Sequence, residues 1–417
     1  MSDGVFSQSY DKCVIMSTMS LMDAPSGERV HIAFFGCRNA GKSALANAFT
    51  NQPISIVSDV AGTTTDPVSK SMELLPVGPV VIVDTPGIDD TGELGEMRVS
   101  RTQQVLSRTD IAVLVVAADT GMTGSDRQFL EVLKERDIPT LVVHTKADLL
   151  LEHGADREGL FVSARDGYQM DLLRERVAAL WDSGKKTATL TGDLAGRGDK
   201  VLLVVPIDKA APKGRLILPQ QQVIRDLLDH GAIPVICRDS ELEEILSEKG
   251  FSPKLVITDS QAFHKVHAAL SPEIPLTSFS ILMARYKGIL TSVVRGAGVI
   301  GDLADGDTVL ISEGCTHRRQ CGDIGTVKLP ALLKKKTGKE LTFAFSSGSH
   351  FPEDLTGYRL IIHCGGCMLN EAEMRARERA AARSGVPMTN YGIAIAYCNG
   401  ILERSIAMLP ECAAGEV

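Results

Sequence analysis

Short, unbroken apolar runs recur along the chain, each followed by a turn and then by a segment with helical spacing. His31 to Phe35 is the first, and it leads through Gly36 to Ser43 into a helical stretch ending at Thr50. Val80 to Val83, Ile111 to Ala117 and Pro139 to Val143 follow the same pattern. Runs of this length predict strands buried on both faces, and their alternation with helices predicts a parallel sheet. From Trp181 to Gly198 the chain is rich in Gly, Lys, Ser, Thr and Asp and reads as a linker. The pattern then restarts. Val201 to Pro206, Ile233 to Ile236 and Leu255 to Thr258 predict strands, with helices over Pro219 to His230 and Glu241 to Lys249. This β-α-β-α-β order implies a small parallel sheet without a phosphate loop. A sheet so small completes its burial against another copy, so a dimerisation module is expected. Beyond Pro272, Leu360 to Ile362 predicts a strand and Asn370 to Ser384 a charged helix. Pro387 to Gly392 reads as a turn-rich segment that sets Asn390 and Tyr391 beside the strand end. The fold class is α/β in three modules. The expected divisions are an arm over 1–28 and modules over 29–187, 188–275 and 276–417.

The first module carries a complete guanine-nucleotide signature. Gly36-Cys37-Arg38-Asn39-Ala40-Gly41-Lys42-Ser43 is G-x4-G-K-S, with Ala44 continuing into the helix. Its backbone amides cradle phosphate, Lys42 reaches the β- and γ-phosphates, and the Ser43 hydroxyl binds Mg²⁺. Gly62 to Asp66 is a polar, switch-like loop, in which Thr64, with Thr63 second, is the candidate Mg²⁺ hydroxyl. Asp84-Thr85-Pro86-Gly87 follows a strand, placing Asp84 for Mg²⁺ through water and the Gly87 amide for the γ-phosphate. Thr145-Lys146-Ala147-Asp148 is a T-K-x-D guanine reader. Asp148 accepts from guanine N1–H and the 2-amino group, which adenine does not offer. Ser163 and Ala164 supply the last element, a backbone amide for guanine O6. These elements in this order predict GTP hydrolysis, with Lys42, Thr64, Asp84 and Gly87 at the chemistry. Ile88 stands where a water-orienting glutamine would follow the Asp84 motif. Glu93 and Glu96 are alternatives for that role, though solvated surface is the default for both. The loop resembles that of the TrmE-Era group of GTPases, in which the residue at the Asn39 position is linked to K⁺. Such an ion can replace an arginine finger.

The last module carries a metal-ligand set. Cys315-Thr316-His317 is followed, after 45 residues, by His363-Cys364-Gly365-Gly366-Cys367. Cys315, Cys364 and Cys367 suit a [4Fe-4S] cluster with one iron left to a weaker ligand, His317 or His363. They equally suit a Cys3His zinc site, and spacing does not choose between the two. Cys321 is a spare candidate. The other five of the nine cysteines show no paired spacing, so a disulfide scaffold is not expected.

The formal charge of −8 speaks against a nucleic-acid protein held by a basic surface. Lys334-Lys335-Lys336 is read as a solvated turn. No apolar stretch reaches the ~20 residues that span a bilayer. No secretory signal order is seen at the N-terminus, so a cytoplasmic, reducing compartment is expected.

Taken together, the chain resembles the [FeFe]-hydrogenase maturation GTPases, the HydF family. The carrying segments are Gly36 to Ser43, Ala61 to Val68, Pro206 to Gln222, Thr277 to Ser280, Cys315 to His317, His363 to Met368 and Thr389 to Gly392. The resemblance covers nearly the whole length and favours an iron–sulfur cluster over zinc. It implies a GTPase domain, a dimerisation domain and a [4Fe-4S] domain in a homodimer or higher oligomer. It also implies a scaffold that accepts a transient diiron precursor carrying CO and cyanide from two radical S-adenosylmethionine maturases. The unit is then delivered to immature [FeFe]-hydrogenase. Two departures stand out. The family often has further histidine where this chain reads Arg318-Arg319-Gln320, and the guanine motif begins with Thr145 rather than Asn. The rival readings are an RNA-modification GTPase with a zinc module and a redox enzyme, the latter favoured by full cysteinyl ligation.

Overall fold

The computed structural model describes residues 26–51, 67–88, 101–150, 159–182, 190–207, 216–314, 323–348 and 351–413. Thr63, Thr64, Glu93, Glu96, Cys315, His317 and Cys321 lie outside the described residues.

The first sheet has six strands: β1 (Val30–Phe35), β2 (Val68–Leu74), β3 (Gly78–Asp84), β4 (Ile111–Ala117), β5 (Thr140–Thr145) and β6 (Leu160–Phe161). They stand in the order β2-β3-β1-β4-β5-β6, with β2 antiparallel to β3 and the rest parallel. The central strands are apolar along their whole length because helices cover both faces. These are α1 (Lys42–Thr50), α2 (described over 101–107), α3 (Gly124–Glu135) and α4 (Met170–Asp182). One core holds Phe34, Leu45 and Phe49, and a second, on the other face, holds Phe35, Leu106 and Leu133.

The second sheet contains β7 (Lys200–Val204), β8 (Ile233–Cys237), β9 (Leu255–Thr258) and β10 (Leu276–Ser278), in the parallel order β10-β9-β7-β8. Its helices are α5 (Leu218–Asp229), α6 (Leu242–Ser247), α7 (Phe263–Ala269), α8 (Phe279–Tyr286) and α9 (Leu290–Gly298). The sequence pattern indicates three strands. The fourth, β10, is short and lies beyond the division placed after residue 275. The preceding linker also gives way to packed chain. Leu190 and Thr191 are buried, and Thr191 Oγ1 donates to Asp226 Oδ2 (2.6 Å).

The third sheet contains β11 (Thr308–Glu313), β12 (Thr342–Ser347), β13 (Leu360–His363) and β14 (Met388–Asn390), parallel in the order β12-β11-β13-β14. Its helices are α10 (Leu329–Thr337), α11 (Glu371–Arg383), α12 (Tyr391–Cys398), α13 (Leu402–Ile406) and α14 (Pro410–Ala413). Two expectations change here. The Lys334 to Lys336 run is the last turn of α10, where cations complement the helix dipole. Residues 388–390, read as turn, form a buried strand paired with β13.

The second and third sheets are two copies of one design. Numbered by chain order within each unit, both run fourth-third-first-second across the sheet. The fourth strands carry the sequence echo: Leu276 to Leu290 and Met388 to Leu402 coincide at Thr277/Thr389, Ile281/Ile393, Ala284/Ala396, Gly288/Gly400, Ile289/Ile401 and Leu290/Leu402. In both, the residue ending the strand caps the next helix. Ser278 Oγ accepts from Ile281 N (3.3 Å), and Asn390 Oδ1 accepts from Ile393 N (2.8 Å). The two units also exchange helices: α9 of the first packs on β14 of the second, and α13 of the second on β10 of the first. One hydrophobic core therefore runs through both units, from Leu190 to Leu409.

A close approach in this exchange is Gly296 on α9, where an added Cβ would lie 2.1 Å from Met388 O. Gly296→Ala should lower stability by ~1–3 kcal/mol, the usual cost of forcing an atom into a packed core. Gly298→Ala, with nothing within 4 Å of an added Cβ, should change it by less than ~1 kcal/mol. Urea unfolding of the two variants checks this.

Candidate functional site

The nucleotide loop is shaped by the strand beneath it. Gly36 follows β1 so closely against β4 that a Cβ there would lie 2.2 Å from Val115 O. Asn39 takes a left-handed conformation, φ 62°, at the exposed tip. Lys42 folds back across the loop, its Nζ donating to Gly36 O (2.9 Å) and Cys37 O (2.7 Å). Ser43 Oγ donates to Asp84 Oδ2 (2.6 Å), so the two groups expected at Mg²⁺ are side by side. Thr85 Oγ1 donates to Phe34 O (2.7 Å), and Ile88 N to Gly36 O (3.2 Å). These bonds hold the Asp84–Gly87 turn against the phosphate loop. Ala44 is half-buried in the first turn of α1.

The guanine-reading side is braced to the same loop. Thr145 Oγ1 donates to Ala40 O, and a Cβ on Gly41 would sit 3.3 Å from that hydroxyl. The threonine thus keeps a brace despite departing from Asn. Lys146 adopts φ 58°, and its Nζ lies 3.6 Å from Asp119 Oδ2. Ser163 Oγ donates to Asp148 Oδ1 (3.0 Å), which orients the carboxylate. Sequence reading assigned only a backbone amide at Ser163 and Ala164, so the Ser163 side chain is an addition.

The metal motif occupies a defined place in the third sheet. The connections after β11 and β13 leave in opposite directions, and crevices at such switch points are where open parallel sheets bind ligands. Cys364 N donates to Ser312 O (2.8 Å). Gly314 N lies 3.1 Å and Gly366 N 3.4 Å from Cys364 Sγ, each directed as a donor. The first of these contacts fixes Gly314, at the end of β11, beside Cys364. Gly366 has φ 60°, and a Cβ there would meet Met374 Sδ at 2.5 Å, so the Cys364–Cys367 turn requires glycine. Cys364 and Cys367 are both partly exposed and unbridged. Among the described residues no group of three metal-ligating side chains is assembled. The donor chemistry, two thiols with amides aimed at sulfur, nonetheless fits an iron–sulfur cluster better than it fits hard cations.

His363 is fully buried. Its Nδ1 lies 2.8 Å from Cys364 O, and its Nε2 lies 3.0 Å from Arg377 Nη1. Burial and the Arg377 charge push its pKa down to about 3, so the ring is neutral, with Nδ1–H donating and Nε2 accepting. To bind iron, His363 would have to give up the Arg377 bond. Arg377 is held in turn by Gly348 O (2.8 Å) and Glu373 Oε1 (2.7 Å). Asn390 serves as a helix cap, and the Tyr391 hydroxyl donates to Glu313 Oε1 (3.3 Å), two residues before Cys315.

The metal loop also touches the GTPase module. Asn370, which caps α11, places Nδ2 2.8 Å from Arg108 O, 2.9 Å from Asp110 Oδ2 and 3.0 Å from His31 Nδ1. Glu373 lines a pocket with Pro67, just before β2, with Arg101 and Gln104 of α2, and with Arg108 just after that helix. Sequence reading missed Asn370 and Arg377. An Asn opening a charged helix just past the cysteines was a visible capping signal; Arg377 had none.

Comparison with known proteins separates the modules. The GTPase part of the chain is 34% identical over 177 residues to the tRNA modification GTPase MnmE of Nitrosomonas europaea, covering 41% of this chain and 37% of that protein. It is 38% identical over 154 residues to the same enzyme of Laribacter hongkongensis, covering 36% and 34%. The chain thus spans only about a third of the length of these relatives. A solved structure of Aquifex aeolicus Era bound to GDP·AlF4⁻ matches with a TM-score of 0.34 at 19% identity, over 50% of this chain and 92% of that one. The 50S ribosome-binding GTPase model matches residues 31–146. The hydrogen maturase F dimerization domain matches residues 190–288, and the hydrogen maturase F tetramerization domain residues 291–408. These last two models follow one another in chain order, cover the two interlocked units and together span just over half of the sequence; the chain belongs to the hydrogen maturase F family.

Proposed function

We propose that this protein is a GTP-hydrolysing scaffold that holds a [4Fe-4S] cluster, accepts a diiron unit and passes it to immature [FeFe]-hydrogenase. Cys315, Cys364 and Cys367 hold the cluster, with His317 or His363 as candidates for the remaining position. The observation that carries this reading is the contact between Gly314 N and Cys364 Sγ (3.1 Å). It sets Gly314, the residue that precedes Cys315 in the sequence, against Cys364 at the crevice of a parallel sheet. A cluster held by three thiolates supplies one iron whose remaining ligand is exchangeable. The protein's own residues shape the turn, aim amides at sulfur and keep His363 neutral. The Asn370 contact with the GTPase sheet supports a role for nucleotide state in loading or delivery. The protein works in the cytoplasm as a homodimer or higher oligomer, with two radical S-adenosylmethionine maturases as donors.

In the GTPase module, Lys42 and the loop amides bind phosphate. Ser43, Thr64 and Asp84 hold Mg²⁺, and the Gly87 amide meets the γ-phosphate. K⁺ bound at Asn39 supplies the positive charge that an arginine finger would bring. GTP hydrolysis should therefore be at least about tenfold faster in K⁺ than in Na⁺, equivalent to about 1.4 kcal/mol of transition-state stabilisation. Asn39→Ala should abolish the difference, and equal wild-type rates in the two salts would refute the cation site.

Asp148→Asn should weaken GTP by ~1.5–3 kcal/mol, the value of a charge-assisted hydrogen bond. That is roughly ten- to a hundredfold, measured by nucleotide titration, and xanthine nucleotide should be favoured relative to GTP. A wild type that binds ATP as tightly as GTP would refute the guanine assignment.

Cys315→Ser, Cys364→Ser and Cys367→Ser should each abolish the [4Fe-4S] absorption and EPR signals after anaerobic reconstitution. Each should also abolish hydrogenase activation while leaving GTP hydrolysis within about twofold, because no reacting group is touched. A zinc-filled, iron-free protein that still activates hydrogenase would defeat the proposal.

A further inference from the structure

The crevice beside Cys364 and Cys367 is not built by the C-terminal unit alone. Lys287 lies in the turn between α8 and α9 of the middle unit and is 2% exposed. Its Nζ donates to Leu369 O, two residues past Cys367, and Leu369 N closes the same loop onto Gly366 O (3.0 Å). Its own carbonyl accepts from Arg375 Nε (3.4 Å) on α11.

Lys287 forms no ion pair among the described residues. The nearby carboxylates are committed elsewhere: Glu371 pairs with Arg375 (2.8 Å) and Glu373 with Arg377 (2.7 Å). One carbonyl is poor compensation for a buried ammonium. Burial pushes its pKa down to about 8, against the opposing pull of Cys367, Glu371, Cys364 and Glu373. His363 and Arg377 face the same region, the first neutral and the second paired. Glu28, which also bonds to Gln222, acts on this charge from the middle unit's side, and on the C-terminal side the groups left to answer it are the sulfurs of Cys364 and Cys367.

The internal repeat shows that the turn itself does not call for lysine. The equivalent residue after α12 is Asn399, whose Nδ2 simply donates back to Ile395 O (2.8 Å). A neutral side chain is therefore enough to make this turn. At position 287 the chain instead sends a cation across the interface between units, into the loop that carries two thiols.

We propose that Lys287 is the counter-charge of the metal crevice: delivered by the middle unit, its ammonium holds the Cys364–Leu369 loop and raises the reduction potential of the cluster bound there. The inference rests on the iron–sulfur reading above. Net charge and hydrogen bonding around the sulfurs are the protein's levers on cluster potential. A fixed positive charge favours the form that has gained an electron, whose charge is one unit more negative.

The test uses the full chain reconstituted anaerobically with iron and sulfide, as wild type, Lys287→Gln and Lys287→Arg. Glutamine keeps a donor for Leu369 O without the charge; arginine keeps the charge. Iron per chain and the EPR-monitored midpoint of one-electron reduction by dithionite are measured. Lys287→Gln should bind the cluster but lower its midpoint, so that the reduced-to-oxidised ratio at fixed potential falls about tenfold, a shift of about 59 mV. Lys287→Arg should stay within about threefold of wild type, and both should retain GTP hydrolysis. Loss of the cluster in Lys287→Gln with retention in Lys287→Arg also supports the counter-charge. Wild-type loading and midpoint in Lys287→Gln would overturn it, as would equal failure of both variants, which would assign Lys287 to packing. A wild type that takes up no iron–sulfur cluster would remove the underlying reading and this inference together.

Discussion

The exchange of α9 and α13 between two similar sheets is the constraint on which the C-terminal half depends. The units are small, and the edge strands β10 and β14 are only three residues long. Each edge is covered by a helix from the other unit, so neither completes its burial alone. The resulting single core fixes the two sheets relative to one another. It also explains how a residue of the middle unit comes to stand behind the cysteines of the last one. The crevice beside the cysteines is thus a property of the pair, although Cys364 and Cys367 belong to one member.

The GTPase module meets this pair at the opposite end of its sheet from the nucleotide. His31 is the second residue of β1 and Asp110 precedes β4, and both meet Asn370. The phosphate loop leaves the far end of β1. A single strand, with its neighbour, therefore joins the nucleotide to the cap of the helix that follows the cysteines. Glu373 also shares a pocket with α2 and with Pro67, which directly follows the Gly62–Asp66 segment in the sequence. Under the function proposed above, this arrangement would give nucleotide-dependent movement a route to the cysteine loop.

What sequence revealed and what it hid follow from how local each signal is. The phosphate loop, the Asp84 turn and the guanine reader are contiguous segments whose backbone geometry dictates residue type, so they were legible at once. The two halves of the cysteine motif were legible for the same reason. The strand at Met388–Asn390 was not. Pro387, Asn390 and Gly392 are turn formers, and only the pairing with β13 and the cap made by Asn390 reveal their use. The repeat was equally hidden, because its identities are spread thinly between offset segments. His363 illustrates the limit in another way. Its neighbour Cys364 makes it look like a ligand, yet its ring nitrogens are engaged by Cys364 O and by an arginine on the following helix. Lys287 carries no local signal, since a lysine closing a short helix is ordinary.

The crossed helices bear on the order in which the chain can mature during synthesis. The strand β10 emerges from the ribosome well before its covering helix α13, which follows only after all four strands of the third sheet. Until then the middle unit exposes an unfinished apolar edge, a state prone to association. The GTPase module, whose two cores are formed from its own residues, can fold while the rest is still being made. The paired units, by contrast, close together, so the cysteine crevice takes its final form only after α13 has been made.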